Sequence, residues 1–285
     1  MIVKENFDLT PYNSYRIAAT CAKAYFPETD EDLYSLFSET NIEKKIVIGG
    51  GYNIILSKPH YQESFVIFSD NLSKAVVNDV TLTLQAGISM LAISQLAYEH
   101  GLSGMEVFYD IPGSLGGAIV MNAGSGTDEI KNVLVKVKYF DPISLTFHEM
   151  YNSEIGFSYR DSFFQRNPHL LITEATLELF RKDKESIKQK MEQTKATRHS
   201  KQPKEYPNAG SVFKRPKGKF VGPMIEELGL KGYSVGGAQV SEKHAGFIVN
   251  YNKATGADIL NLIKDIQDKV YAAYDVMLEV EQRII

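Results

Sequence analysis

Two glycine-rich turns and one serine carry the chemical signal in this chain. Residues 101–124, GLSGMEVFYDIPGSLGGAIVMNAG, hold Gly101, Gly104, Gly113, Gly116, Gly117 and Gly124 around a single proline. Glycine buries no side chain and loses the most backbone entropy on ordering, so a core has no use for such a run. A turn through positive φ, or a backbone that approaches a ligand closely, does. Successive N–H groups in such a turn form a nest that suits a phosphate or the edge of a ring. A glycine-rich surface loop is the competing reading. Apolar neighbours on both sides (Met105, Val107 and Phe108 before; Ile119, Val120 and Met121 after) favour a buried ligand loop.

A second turn, Gly49-Gly50-Gly51-Tyr52-Asn53, follows the apolar run 46–48. It imitates a dinucleotide-binding fingerprint, with Asp70 as the acidic residue at the end of a second strand. Ile54 is too bulky for the third small position, however, and Pro59 leaves no crossover helix behind the turn. The Gly-Lys-Ser/Thr of a phosphate loop is also missing. Two readings stay open: a plain turn, or a set of amides facing a diphosphate.

Ser211 lies in Ala209-Gly210-Ser211-Val212-Phe213-Lys214-Arg215-Pro216, with two cations shortly after it. Cations and dryness could make its hydroxyl unusually acidic. From local sequence alone it reads as an exposed turn serine, and no Gly-x-Ser-x-Gly elbow frames it for hydrolysis. Around it, Lys195, Arg198, Lys201, Lys204, Lys214, Arg215, Lys217 and Lys219 face a single carboxylate, Glu205. Such a cluster suits an anionic ligand as well as a solvated basic face. In the tail, strand alternation puts Glu279, Glu281 and Arg283 on one face. That trio is either a solvated edge or a tuned acid with its orienting cation. Arg160, in Tyr159-Arg160-Asp161-Ser162, says little by itself.

The elements that must hold these residues follow from pattern. Asp30 is expected to cap a short helix carrying Leu33, Leu36 and Phe37. Strands are expected at 46–48, 65–68, 81–85, 133–139 and 171–179. Ser89 opens a helix with Ile93, Leu96 and Ala97 inward, stopped by Gly101. A charged helix at 182–197 has only Ile187 and Met191 as its apolar stripe. Beyond Pro203 and Pro207 come a short helix at 224–228, a strand at 245–250 and a long helix with Ile259, Leu262, Ile263, Ile266 and Val270 at helical spacing. Residues 277–285 read as a closing strand. Strands and helices do not alternate strictly, so the class is α+β.

Bulk composition narrows the rest. A chain of 285 residues, 44% hydrophobic and 23% charged, is ordinary globular material of two or three domains. A net charge of −4 gives no global case for nucleic acid. Cys21 is the one cysteine, which rules out an internal disulfide and suits a reducing cytoplasm. The six histidines are scattered, so no metal site is expected. No apolar run approaches membrane-spanning length, and the N-terminus lacks a signal-peptide core.

In their order, these segments resemble UDP-N-acetylenolpyruvylglucosamine reductase, the flavoenzyme family that completes the muramic acid precursor of peptidoglycan. The matching pieces are Asn13-Ser14-Tyr15-Arg16-Ile17, the GGGYN turn, residues 101–124 and Tyr159-Arg160-Asp161-Ser162. They continue through AGSVFKRP, Val240-Ser241-Glu242-Lys243-His244-Ala245 and Leu278-Glu279-Val280-Glu281. They span nearly the whole chain, and 111–124 and 209–216 are the specific ones. Length and the FKRP form resemble the shorter subclass, which lacks a lid tyrosine.

The resemblance implies a two-lobed FAD-binding domain of the vanillyl-alcohol-oxidase/PCMH type plus a smaller α+β substrate-binding domain. Expected boundaries are 1–70 and 71–195 for the two FAD lobes and 196–274 for the substrate domain. Residues 275–285 form a strand returning to the lobes. FAD is implied to lie against Gly49, Gly50, Gly51, Tyr52, Asn53, Pro112, Gly113, Ser114, Gly116, Gly117, Asn122, Ala123, Gly124 and Ile172. NADPH is the implied co-substrate, and UDP-N-acetylglucosamine enolpyruvate the implied substrate. Tyr159, Lys201, Lys214 and Arg215 are the implied substrate contacts. By the same resemblance Ser211 donates the proton, Arg160 stabilises the carboxylate and enolate, and Glu281, rather than Glu279, helps polarise or protonate. A serine is a poor acid in water, so Lys214 and Arg160 are the cations expected to assist it. A cytoplasmic monomer is expected, without nucleic-acid or membrane partners.

Three positions depart from the family pattern. Tyr52 replaces a serine, Lys58 an acidic residue and Arg215 an asparagine, the last favouring phosphate over uracil contact. The alternatives are another FAD-dependent oxidoreductase acting on a small alcohol or sugar, and a catalytically dead nucleotide-sugar binder. The first has no reason to keep AGSVFK with Arg160 and Glu281, and the intact Arg, Ser and Glu argue against the second.

Overall fold

The computed structural model describes residues 1–38, 45–69 and 71–285. Asp70, the acidic residue of the imitated fingerprint, lies outside the described residues. The chain folds into two compact units, each built from separated stretches. One comprises 1–4, 24–50 and 64–197; the other comprises 5–23, 51–63 and 198–285.

In the first unit a small parallel sheet leads into the glycine turn that starts at Gly49. Strand Lys45–Ile48 pairs with Ser64–Ile67 from Lys45↔Ser64 to Ile48↔Ile67. Ala24 and Tyr25 flank Ser64–Ile67 on its other edge. All four residues of Ser64–Ile67 are buried, as a central parallel strand requires. Helix Asp30–Ser38 covers this sheet with Leu33 and Leu36, which cluster with Val66, Phe68 and Leu72. Its cap differs from expectation. Thr29 Oγ1 accepts the N–H of Asp32 at 3.1 Å, while Asp30 turns its carboxylate to Lys138. A threonine already stands at the cap, which frees the aspartate for the ion pair.

The second sheet of this unit is antiparallel, ordered 146–151, 134–141, 171–178, 81–85, 75–78. Leu82 and Leu84 alternate inward from strand Thr81–Gln85, and Ala175 and Leu177 meet them from Leu171–Glu178. Helix Met90–Glu99 packs Met90, Ile93 and Ala97 on the same core. Ser89 caps it by accepting the N–H of Ala92 at 3.1 Å, and Gly101, at φ 67°, follows its last turn. Helix Leu115–Val120 adds Leu115, Ala118 and Ile119 to that core. The charged helix runs over Lys184–Lys201, with Ile187 and Met191 as its buried residues.

In the second unit, helix Gly256–Tyr274 buries Ile259, Leu262, Ile263, Ile266 and Val270. A capping box starts it: Thr255 Oγ1 accepts the N–H of Asp258, and Asp258 Oδ2 accepts the N–H of Thr255. Gly256 has no room for a side chain, since a Cβ there would stand 2.0 Å from the carbonyl oxygen of Leu56. Strands Ser234–Val235, Ala238–Val240 and Ile248–Asn250 form a small antiparallel sheet. The strand expected at 245–250 begins only at Ile248. Residues before it form a turn in which Phe247 N–H bonds the His244 carbonyl at 3.0 Å.

The tail departs most from expectation. Only Arg283–Ile284 forms a ladder, parallel to Ile54–Ile55, with one further bridge between Val280 and Phe213. Leu278 and Gln282 are buried, whereas Glu279 and Arg283 are exposed. Positions four apart share one face of an extended segment, so burial of Leu278 and Gln282 with exposure of Glu279 and Arg283 keeps the expected alternation, Glu281 being half-buried. What departs from expectation is that both edges of this segment are hydrogen-bonded. Cys21 is fully buried, and burial pushes its thiol up to about 11.

His244 closes the turn before Ile248–Asn250, with Nδ1 accepting the N–H of Gly246 at 3.1 Å and its ring edge-on to Phe247 at 4.9 Å. Burial holds its pKa below the ordinary 6.5, and Lys231 pushes the same way against Glu226. The folded form therefore favours neutral imidazole. Its contribution to stability is fully present above pH 6.5 and is lost as pH falls through the depressed folded pKa. In denaturant titrations, the stability advantage of wild type over His244→Gln should shrink as pH is lowered from 6.5. A pH-independent difference would contradict this assignment.

Candidate active site

In the first unit the two glycine turns meet. Strand Lys45–Ile48 delivers Gly49, and a Cβ on Gly49 would stand 2.4 Å from Ser114 Oγ. Ser114 is buried and extended, immediately before helix Leu115–Val120. The Leu115 and Gly116 N–H groups are spent on the carbonyls of Ile88 and Ala86. Among the described residues, the N–H groups of Gly113, Ser114 and Gly117 have no carbonyl partner. Gly113 sits at φ 137° with nothing within 4 Å of its missing side chain. Unsatisfied amides beside space that only glycine leaves open are the donor set an anion needs.

The end of the 101–124 run is built around Asn122, which is buried at φ 44°. Its side-chain amide donates to the Ser158 carbonyl at 2.9 Å. Its Oδ1 is buried without a hydrogen-bond donor. A buried acceptor with no donor is costly unless a ligand supplies one. Arg160, also left-handed at φ 54°, reaches the same loop: Nη1 donates to the Asn122 carbonyl at 3.2 Å and Nη2 to the Gly124 carbonyl at 2.9 Å. Tyr159 lies against the guanidinium, its ring centroid 5.3 Å away. Ser162 Oγ, fully buried, donates to the Val120 carbonyl at 2.7 Å and anchors the segment after Arg160. Gly124 is obligatory, because a Cβ would meet the Asp128 carbonyl oxygen at 2.1 Å. The Ala123 N–H is used internally, on the Ala118 carbonyl. Ile172 is a buried member of the sheet core, and Pro112 is exposed.

In the second unit the tail joins the serine segment to Asn53 at the end of the GGGYN turn. On one edge Lys214 N–H bonds the Glu279 carbonyl at 2.9 Å, and Glu281 N–H bonds the Val212 carbonyl at 2.8 Å. On the other edge Asn53 Nδ2 donates to the Glu281 carbonyl at 3.3 Å, and Arg283 N–H bonds the Asn53 carbonyl at 2.9 Å. Ser211, Glu281 and Asn53 thus lie on three neighbouring segments. Gly51 fixes the turn at φ 74°, where a Cβ would fall 1.9 Å from the Tyr12 carbonyl oxygen. The N–H of Ser14 bonds the Gly51 carbonyl at 3.0 Å, while Ser14 Oγ is buried without a partner. Tyr52 is exposed.

The substrate-side cations are dispersed. Lys214 Nζ lies 2.7 Å from Glu279 Oε1, so the cation expected to sharpen Ser211 is engaged by the other tail carboxylate. The Arg215 guanidinium lies 4.7 Å from the centroid of the exposed Phe220 ring. Lys201 is exposed at the last position of its helix. Among the described residues no group of His, Cys, Asp and Glu could hold a metal, and no helix is long and apolar enough to cross a membrane.

Residues 22–143 match an FAD binding domain family, and 202–285 match the C-terminal domain of UDP-N-acetylenolpyruvoylglucosamine reductase. A protein of that name from Francisella tularensis is 38% identical over 285 residues, covering 99% of this chain and 100% of its own. The chain belongs to the UDP-N-acetylenolpyruvoylglucosamine reductase family. Its relative from Lactobacillus helveticus is 41% identical, covering 99% of this chain and 95% of that one. The crystal structure of the Thermus caldophilus reductase superposes with a TM-score of 0.84 at 30% identity, over 100% of this chain and 99% of that one. Membership in this α+β family removes the reason for reading the chain as an oxidase of small alcohols.

Sequence reasoning missed Gln282 and Tyr15, both buried and joined at 3.0 Å. Tyr15 lies within Asn13-Ser14-Tyr15-Arg16-Ile17, but nothing local distinguishes a buried phenol. The contact between the turns gives a stability test. Gly49→Ala must displace Ser114 and should cost about 1–3 kcal/mol in denaturant unfolding. Gly117→Ala meets only Ser114 Oγ, at 3.6 Å, and should be neutral or stabilising by up to about 1 kcal/mol. Equal effects of the two substitutions would refute the packing of one turn on the other.

Proposed function

We propose that this chain binds FAD and uses NADPH to reduce UDP-N-acetylglucosamine enolpyruvate to UDP-N-acetylmuramate. The reaction adds a hydride and a proton across a carbon–carbon double bond. Bound flavin supplies the hydride, taken from NADPH, to the outer vinyl carbon.

The chain's own residues supply binding and proton handling. FAD is held by Gly49 to Asn53 and by Pro112 to Gly117. The free N–H groups of Gly113, Ser114 and Gly117 suit its diphosphate, and the orphaned Asn122 Oδ1 suits a ring N–H. Ala123, Gly124 and Ile172 complete that contact. Arg160 stabilises the substrate carboxylate and the negative charge that spreads into it, with Tyr159 beside it. Ser211 gives its hydroxyl proton to the inner carbon, and Glu281 assists by polarisation or proton delivery. Lys201, Lys214 and Arg215 meet the nucleotide diphosphate. The Lys214–Glu279 pair must open, or be shared, for Lys214 to do so.

The observation that carries this reading is the double-edged tail, which sets Glu281 between the serine segment and Asn53 of the glycine turn. In functional terms the chain divides into FAD lobes at 1–70 and 71–195 and a substrate domain at 196–274, with 275–285 as the returning strand. We further propose a cytoplasmic monomer acting on a small-molecule substrate.

Purified protein should be yellow, or become so with added FAD, and should oxidise NADPH only when the enolpyruvyl sugar nucleotide is present. Ser211→Ala should leave flavin reduction by NADPH nearly intact and slow oxidation of the reduced flavin by substrate at least about 100-fold. Equal losses in both half-reactions would remove the proton-donor role. A colourless protein that FAD cannot reconstitute would remove the function.

A further inference from the structure

The serine segment has a weakness that one buried side chain corrects. Gly210, directly before Ser211, is at φ 78° with nothing within 4 Å of its missing Cβ. No side chain packs this position, so the peptides leading into Ser211 must be fixed by hydrogen bonds. Asn208 Oδ1 accepts the Gly210 N–H and the Gly246 carbonyl accepts that of Val212, each at 3.1 Å, and Gln282 holds the carbonyl side of the segment. It is 4% exposed, and its Nε2 lies 3.0 Å from the Ala209 carbonyl, 3.4 Å from that of Gly210 and 3.5 Å from that of Ser211. Three carbonyls around one atom require that atom to be the amide nitrogen. The amide oxygen then faces Tyr15, whose hydroxyl donates to it at 3.0 Å.

Tyr15 is itself immobilised. It is fully buried, and its carbonyl accepts from Asn250 Nδ2 at 2.8 Å. Asn250 N–H in turn donates to the Pro207 carbonyl at 2.8 Å, and Asn250 Oδ1 accepts the N–H of Ala254 at 2.7 Å. Burial raises the Tyr15 pKa far above its ordinary value, so the phenol stays a donor across the working pH range. The segment from Pro207 to Ser211 is therefore suspended from a buried Asn250–Tyr15–Gln282 relay of hydrogen bonds.

We propose that Gln282, oriented by Tyr15, is a positioning residue that fixes the Ser211 hydroxyl for proton delivery. Its amide is spent on the 209–211 carbonyls and on Tyr15, so it acts through those peptides. This inference rests on the proton-donor reading of Ser211. A hydroxyl displaced by about 1 Å from its acceptor carbon can lose about 100-fold in rate. The step preceding it, NADPH-driven flavin reduction, needs no such proton.

The test uses the FAD-loaded full-length protein and single-turnover flavin absorbance, comparing Gln282→Leu, Tyr15→Phe and Ser211→Ala. Gln282→Leu should slow oxidation of the reduced flavin by the enolpyruvyl substrate about tenfold or more, with NADPH-driven flavin reduction unchanged. Tyr15→Phe should slow the same half-reaction less, and the double variant should be no slower than Gln282→Leu. In a Ser211→Ala background, Gln282→Leu should add nothing. Should Gln282→Leu fail to fold, Tyr15→Phe carries the test, because it deletes one hydroxyl and keeps the ring. Loss shared equally by both half-reactions, or no loss in either while Ser211→Ala remains slow, overturns the inference alone. Wild-type rates in Ser211→Ala overturn the proton-donor reading, and this inference with it.

Discussion

The arrangement depends on the tail being hydrogen-bonded along both edges. Terminal residues of a domain ordinarily fray, because few bonds offset their backbone entropy. Here the Lys214, Glu281, Arg283 and Ile285 N–H groups all find carbonyls across this segment, and Asn53 adds its side chain. Ser57 Oγ and Tyr61 Oη donate to the last carbonyl of the chain, on Ile285. A strand inserted this way makes the glycine turn, the tail carboxylate and the serine segment one mechanical object within the second unit. Side-chain chemistry on any one of them inherits its position from the other two.

In the first unit the corresponding constraint is the absence of side chains. Gly49 and Ser114 approach so closely that a single methyl would collide, and Gly124 faces a backbone oxygen 2.1 Å from a hypothetical Cβ. These turns are rigid because glycine lets backbone pack on backbone. The same packing leaves the amides of Gly113, Ser114 and Gly117 unspent among the described residues. An apolar scaffold of Leu115, Ala118, Ile119, Leu84 and Ala175 holds those donors against movement. Preorganised donors need no rearrangement when an anion arrives, which is the economy a phosphate-binding turn exploits.

Much of this was legible in the sequence wherever the cause is local. Ser89 announced its helix, Leu82 and Leu84 alternated as a half-buried strand, and Ile259 to Val270 kept helical spacing because one face had to be buried. The glycine turns were legible as well, since only backbone demands explain their composition. The tail was not, because its partners are remote: Asn53 and Glu281 are separated by 228 positions. Alternation in 278–283 holds, with Leu278 and Gln282 buried and Glu279 turned out to Lys214, but nothing local shows that both edges are paired. Gln282 and Tyr15 were invisible for the same reason. A glutamine beside a conspicuous glutamate draws no attention until a tyrosine 267 residues away meets it.

Native-state hydrogen exchange tests directly whether the tail is one cooperative unit with the serine segment and the glycine turn. The amides of Lys214, Glu281, Arg283 and Ile285 should open together, with one free energy and one denaturant dependence well above the fraying limit. Rapid exchange of Arg283 and Ile285 while Lys214 stays protected would contradict it, because the tail would then be a loose end rather than the strand that joins the site.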